Sequence, residues 1–150
     1  MNKDIERTLV LLKPDCLLNR HVGNVLSRFE KKGFHICGIK MLQLNAQILY
    51  KHYAHIADEP FFQQVKSFME STPVIALVVS GENVVAHVRE LAGPTDSLKA
   101  MKGTIRGDFG KNVMINVVHT SDSPEKAESE LKHFFRSEEI FEYTPDSTLS

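Results

Sequence analysis

Residues 74–79 read Val-Ile-Ala-Leu-Val-Val, an apolar run with no polar interruption. Thr72-Pro73 punctuates the chain before it, and Gly81-Glu82-Asn83 turns the chain after it. A run of this length between two breakers predicts a fully buried strand and demands a layered core around it. Thr8 to Leu12 is a second β-prone apolar run, ended by Lys13-Pro14-Asp15. Proline cannot continue a central strand, so Lys13 falls at a strand end.

The rest of the chain fills in around these two runs. Val22, Val25, Leu26 and Phe29 follow helical spacing, with Gly33 as the stop. Residues 34–44 read as a strand and residues 46–57 as one helix. Residues 61–69 read as another helix, with Pro60 in its first turn. Val84, Val85, Val88 and Leu91 mark a further helix. From 92 to 112 no period emerges; a loop of roughly 20 residues is a length compact domains keep for a functional reason. Residues 113–118 read as the last strand, ending at His119. Ala127, Leu131, Phe134 and Phe135 mark the last helix, opened by Asp122 or Ser123 with Pro124 in its first turn. After Tyr143 a polar, frayed tail is expected.

The order β-α-β-(α-α)-β-α-(loop)-β-α holds a split βαβ pair. It predicts an α+β, ferredoxin-like αβ sandwich: a four-stranded antiparallel sheet with helices packed on one face. A parallel doubly wound sheet would need more regular βα alternation. With 150 residues the expectation is a single domain over 1–150, with its core at about 5–143.

Net charge is −1, with 42% hydrophobic and 25% charged residues. That speaks against a nucleic-acid coat or a polybasic membrane binder, while leaving room for a local basic pocket. No apolar run approaches the roughly 18 residues of a membrane span, and the charged start does not suit a signal peptide. Cys16 and Cys37 match no zinc or CxxC spacing. A cytoplasmic protein is expected.

The stretch Asn116-Val-Val-His119-Thr-Ser121-Asp122 puts a histidine where a strand gives way to a helix start. Ligands bind at such junctions, and neutral imidazole is a good nucleophile near pH 7. From position alone a partly buried histidine capping the strand carries more weight. Glu130 shifts that balance, because it sits at the edge of the apolar stripe of the next helix. From there a carboxylate can fix the histidine tautomer; a snorkelling surface glutamate is the alternative. Ser121 could bond a group near His119, and Asp122 reads first as a helix cap, with Glu125 completing a capping box. Asn116 and His119 are three apart, so a regular strand would point them to opposite faces. If both serve one site, the chain must bend or the strand must end after Val118.

Three cations stand out. Lys13 is at a strand end. Arg89 is near a helix end, where the dipole also favours a cation. Arg106 lies in Gly103-Thr-Ile-Arg106-Gly107-Asp-Phe-Gly110, whose glycines allow close backbone approach. Thr95 adds a hydroxyl. No GxxxxGK[ST] and no GxGxxG after a strand is present in the sequence. His52, His55, Asp58 and Glu59 fit no standard metal spacing. His21, His35, His87 and His133 read as surface or packing residues.

Together these pieces closely resemble the nucleoside diphosphate kinase family over about residues 5 to 143. They are Glu6-Arg-Thr, Lys13-Pro-Asp15, Arg28-Phe-Glu-Lys-Lys-Gly33-Phe, His52-Tyr53, Pro60-Phe61-Phe62, the Gly103 to Phe109 segment, and Asn116 to Ser123. The resemblance implies ping-pong transfer of a γ-phosphate from a nucleoside triphosphate to a nucleoside diphosphate, through a phosphohistidine, with broad base specificity. It implies that His119 is phosphorylated on Nδ1 while Glu130 holds Nε2. Lys13 and Tyr53 would contact the moving phosphate, with Ser121 nearby. Arg89, Thr95 and Arg106 would bind the other phosphates, Asn116 with Lys13 would take the sugar hydroxyl, and Phe61 and Val113 would hold the base. Mg²⁺ would be bound through the phosphates, with no direct protein ligand. A homo-oligomer is implied, a hexamer before a tetramer, with no stable nucleic-acid or membrane partner. The chain departs from the common family pattern at Thr120, where Gly or Ala is usual. It also lacks a proline often found just after Ser97, and a Tyr-Glu ending. Two other readings compete: a nucleotide-binding module without turnover, and a nucleic-acid binder on the same sheet.

Overall fold

The two apolar runs become the central strands of the sheet. The computed structural model describes residues 5–143; the tail beyond 143 lies outside the described residues. β1 (Ile5–Leu12) lies between β3 (Val74–Glu82) and β4 (Val118–Thr120), and β2 (His35–Leu42) pairs the outer side of β3. The order is β2-β3-β1-β4 and every pairing is antiparallel. Val10 faces Leu77 on one side and Thr120 on the other, and Leu11 faces His119.

Among the described residues seven α-helices surround this sheet: α1 (Pro14–Leu18), α2 (Val22–Lys31), α3 (Ala46–His52), α4 (Phe62–Glu70), α5 (Val84–Ala92), α6 (Ile105–Phe109) and α7 (Pro124–Phe134). The expected covering of one face is corrected here, because helices cover both. Val10, Leu12, Leu77 and Val79 pack with Val25 and Phe29 of α2 and Val84 and Val88 of α5. Leu9, Leu11, Ala76 and Val78 pack with Leu49 of α3, Phe62 of α4, and Leu131 and Phe134 of α7. Successive strand residues point to opposite faces, so an unbroken apolar run requires two cores. Each Val, Leu or Phe side chain so buried contributes about 1.5–3 kcal/mol.

Other expectations are corrected at boundaries. Residues 14–18 form α1, with Pro14 at its first position and Lys13 as its N-cap. The single helix expected over 46–57 breaks at Tyr53 (φ −106°, ψ 32°), and a 3₁₀ turn follows at Ala54–Ile56. Pro60 falls before α4, whose N-cap is Phe61. The long loop contains a 3₁₀ turn at Ser97–Lys99 and α6, each capped by its own side chain: Asp96 accepts from Leu98 N–H and Thr104 from Gly107 N–H. α7 is capped by Ser123, which accepts from Lys126 N–H. Asp122 is therefore not the cap, and Glu125 completes no capping box, because the third position after the cap is a lysine.

The largest correction concerns the last strand. It covers only Val118–Thr120. Residues 113–117 instead fold around Asn112, whose side chain accepts from the N–H groups of Met114 and Ile115. Val117 then adopts φ +75°, a conformation a β-branched residue rarely holds. Its neighbours close a γ-turn, Val118 N–H donating to the Asn116 carbonyl at 2.8 Å. This bend removes the conflict between Asn116 and His119: both side chains line one cavity.

Candidate active site

A cavity of about 490 Å³ opens where β1 ends beside the start of β4, next to the C-terminal ends of α3 and α5 and the segment 93–117. Its walls include Lys13, Tyr53, Phe61, Arg89, Thr95, Arg106, Val113, Asn116, His119 and Glu130. Of the site residues expected from sequence, only Ser121 is off the wall. It is fully buried behind Glu130.

His119 Nε2 lies 3.0 Å from Glu130 Oε1, and Ser121 Oγ donates to the same oxygen at 2.7 Å. Burial alone would raise the Glu130 carboxyl. The bonds from His119 and Ser121 outweigh it and hold the group down to about 2. At neutral pH Glu130 is therefore an acceptor only, so neutral His119 must carry its proton on Nε2 and leave Nδ1 with a free electron pair. Strand geometry places His119, and the first two turns of α7 place Glu130 opposite it.

His52 stands edge-on to His119, ring centroids 4.5 Å apart at 79°. It packs also on Tyr53 and Phe134, and neither ring nitrogen has a partner among the described residues. Burial, then the neighbouring His119, lowers its pKa to about 3, so it stays neutral. The quartet His52, His55, Asp58, Glu59 does not assemble: Asp58 and Glu59 are exposed. The ligating atoms that approach within 4.8 Å are those of His52, His119 and Glu130. Burial and Glu130 push Tyr53 up to about 12, so its phenol keeps its proton.

The cations are held in different ways. Lys13 Nζ donates to the Met114 carbonyl and to Asn116 Oδ1, both at 2.7 Å. Burial lowers it to about 8, Arg106 adding to the effect and Asp15 opposing it. Asn116 Nδ2 in turn donates to the Thr95 and Val113 carbonyls. Arg106 is buried and donates to the carbonyls of Asn116, Gly93 and Val118 at 3.1, 2.8 and 2.7 Å. It reaches them because Gly107 lets α6 pack against the Met101 carbonyl, where a Cβ would collide. Arg89 is half exposed and paired with Asp122 at 2.7 Å. Phe61 and Val113 present exposed apolar surface on the wall.

Sequence reading missed three participants. Asp122 looked like a cap, and no local signal ties it to Arg89, 33 residues away. His52 follows the buried Leu49 by three positions on α3, so its inward face was legible, but its contact with His119 was not. Asp15 was read only as part of a motif; it is buried and accepts from Val117 N–H at 3.0 Å. Thr120, the unusual letter, is buried at the end of β4 and also lines the cavity.

A histidine backed by a carboxylate, on a cavity wall shared with three cations, is an arrangement suited to handling phosphate on an α+β sandwich. The sequence matches the family profile described as Nucleoside diphosphate kinase over residues 6–140. A nucleoside diphosphate kinase of Parabacteroides distasonis is 47% identical over 146 residues, covering 97% of this chain and 95% of the relative. One of Pyrococcus abyssi is 46% identical, covering 92% and 89%. The solved nucleoside diphosphate kinase of Halobacterium salinarum in complex with CDP superposes with a TM-score of 0.92 at 36% identity, covering 96% of each chain. That of Aquifex aeolicus gives 0.87 at 40% identity, covering 91% of this chain and 99% of that one. The chain belongs to the nucleoside diphosphate kinase family.

Proposed function

We propose that this protein is a nucleoside diphosphate kinase acting through His119. The observation that carries this reading is the 3.0 Å contact of His119 Nε2 with an ionised Glu130, on the wall of a cavity lined by Lys13, Arg89 and Arg106. The free pair on Nδ1 attacks the γ-phosphorus of a nucleoside triphosphate. The P–O bond to the β-phosphate breaks, and the nucleoside diphosphate leaves with that electron pair. A second diphosphate then attacks the phosphohistidine and regenerates neutral His119. Such transfer depends mainly on positioning and charge neutralisation, which the cations supply. Lys13 and the protonated Tyr53 serve the moving phosphate, with Ser121 orienting Glu130. Arg89, Thr95 and Arg106 serve the other phosphates, and Asn116 with Lys13 serves the sugar.

Phe61 and Val113 serve the base. Stacking tolerates every base, so purines and pyrimidines are both accepted. The two carboxylates on the cavity wall, Asp122 and Glu130, are each engaged, one by Arg89 and the other by His119 and Ser121. That donor set suits Mg²⁺ carried in on phosphate oxygens better than a protein cage. When bound, the ion neutralises phosphate charge.

The single domain works as a homo-oligomer, with a hexamer expected. In support, edge strand β2 exposes Ile39 and Met41 on one face. Light scattering measures this directly. No described helix is long and apolar enough to cross a membrane. A cytoplasmic location suits the nucleotide pools this activity would balance.

The test is incubation with Mg·ATP followed by intact mass. One acid-labile phosphate is gained, is lost on adding GDP, and is absent in His119→Ala. Tight nucleotide binding with no phosphate on His119 would instead identify a binding module without turnover.

A further inference from the structure

The antiparallel ladder between β1 and β4 should run one residue pair further than it does. Leu12 pairs with Val118, so the next pair is Lys13 with Val117. Half of that pair is made: Lys13 N–H donates to the Val117 carbonyl at 2.9 Å. The reciprocal bond is missing, because Pro14 starts α1 and the Lys13 carbonyl is taken by Cys16 N–H at 2.9 Å. The side chain of Asp15 fills the gap, accepting from Val117 N–H at 3.0 Å. Val117 is the residue at φ +75°, and a strained residue persists only where its surroundings over-determine it. Those surroundings are Asp15 on its N–H, Lys13 on its carbonyl, and Arg106 on the carbonyls on either side.

From this geometry we infer that Asp15 is a positioning residue for phosphoryl transfer: its carboxylate holds the Val117 γ-turn that brings Asn116 and His119 into one pocket. Packing alone does not explain it. Asp15 is almost fully buried, and its second oxygen has no partner among the described residues. A buried carboxylate left half satisfied is a poor filler of space. Without the carboxylate, Val117 N–H has no acceptor and the backbone relaxes toward φ below zero. Because side-chain direction alternates along an extended chain, relaxation turns Asn116 away from the face of His119. The effect therefore falls on both the sugar contact and the nucleophile.

This inference rests on His119 being the nucleophile, and the experiment separates the two. Asp15→Ala, Asp15→Asn and His119→Ala are compared for thermal midpoint, phosphohistidine formation, and kcat and KM with GDP as acceptor. Asp15→Ala, assayed well below its midpoint, loses about 100-fold in kcat/KM, with KM raised and kcat lowered, the scale expected when reacting groups shift by an ångström. Asp15→Asn keeps an acceptor oxygen and stays within about fivefold of the unsubstituted protein, a neutral bond replacing a charge-assisted one. A folded Asp15→Ala with unchanged kcat/KM overturns the inference and leaves His119 as nucleophile. Phosphorylation persisting in His119→Ala overturns the reading of the site itself. If Asp15→Ala does not fold, amide exchange in the unsubstituted protein decides. A protected Val117 N–H, exchanging faster in Asp15→Asn, supports the clamp, and exchange at the rate of a free loop amide overturns it.

Discussion

Arg106 and Arg89 line the same cavity and carry the same charge, yet they are fixed in opposite ways. Arg106 is buried, and each of its three nitrogens donates to a main-chain carbonyl. Arg89 has a side chain 43% exposed, and among the described residues it pairs with Asp122, itself 70% exposed. The first is a strut that also lines the cavity. The second is a half-exposed cation held by a solvent-screened pair. Identical chemistry at a wall thus divides into a part that builds the pocket and a part left available at its surface.

Four measurements sharpen or break this contrast. The largest effect is expected from Arg106→Ala. Three carbonyls lose their donor, which lowers stability by on the order of 3 kcal/mol. Activity falls at least about 100-fold through the lost charge. Chemical denaturation and steady-state kinetics read the two losses separately. Arg106→Lys recovers little of either, because one ammonium cannot reach three carbonyls from a planar fork. Arg89→Ala comes next: kcat/KM falls about 100-fold while stability changes by less than about 1 kcal/mol, as for other exposed pairs. Equal stability losses in the two alanine variants would break the contrast.

The third is a pH profile, because Lys13 belongs with Arg106 as a buried cation. Its folded pKa is lowered to about 8 from an ordinary 10.5. Between those values the unfolded chain binds the proton and the folded one does not, so this group's contribution to stability rises from pH 8 to 10.5. Over the same range Lys13 loses the charge proposed to meet phosphate, and kcat/KM is expected to decline roughly tenfold per unit above pH 8. A stability gain and an activity loss in one window is the signature of a buried cation. Glu130 acts at the other end. Its folded pKa is depressed to about 2 from 4.5, so its contribution is present above 4.5 and is lost as pH falls toward 2. The smallest effect is expected from Asp122→Asn, which frees Arg89 and changes KM by no more than about fivefold. A large KM rise there would show that Asp122 serves the substrate itself.

How far these roles were legible beforehand differs from residue to residue. His119 and Glu130 were paired correctly in space because each sits on a regular element, where a period of 2 or 3.6 tells which way a side chain points. Arg106 was picked out by its glycines, but as a free phosphate ligand. Its role as a strut depends on the carbonyls of Gly93, Asn116 and Val118, which no local pattern announces. Arg89 had a helix-end explanation complete in itself, so nothing pointed to Asp122. The loop at 92–112 hid two short helical turns, because turns of three to five residues have too few positions to establish a period. The strand expected at 113–118 failed for the opposite reason. Its β-prone composition was real, but the Asn112 side chain and the Val117 turn won the backbone.

By itself the sequence determined the buried strands, the longer helices, the α+β class and the residue types that a phosphate site needs. All of these are written in short-range periodicity and in the chemistry of single side chains. Only the tertiary structure decided that the sheet is covered on both faces, that Asn116 and His119 share a pocket, and which arginine is a strut. Those outcomes depend on hydrogen bonds between residues far apart in the chain, such as Asp15 to Val117, 102 positions away. A backbone group takes whatever acceptor the assembled fold leaves within reach, and local pattern carries no record of that choice.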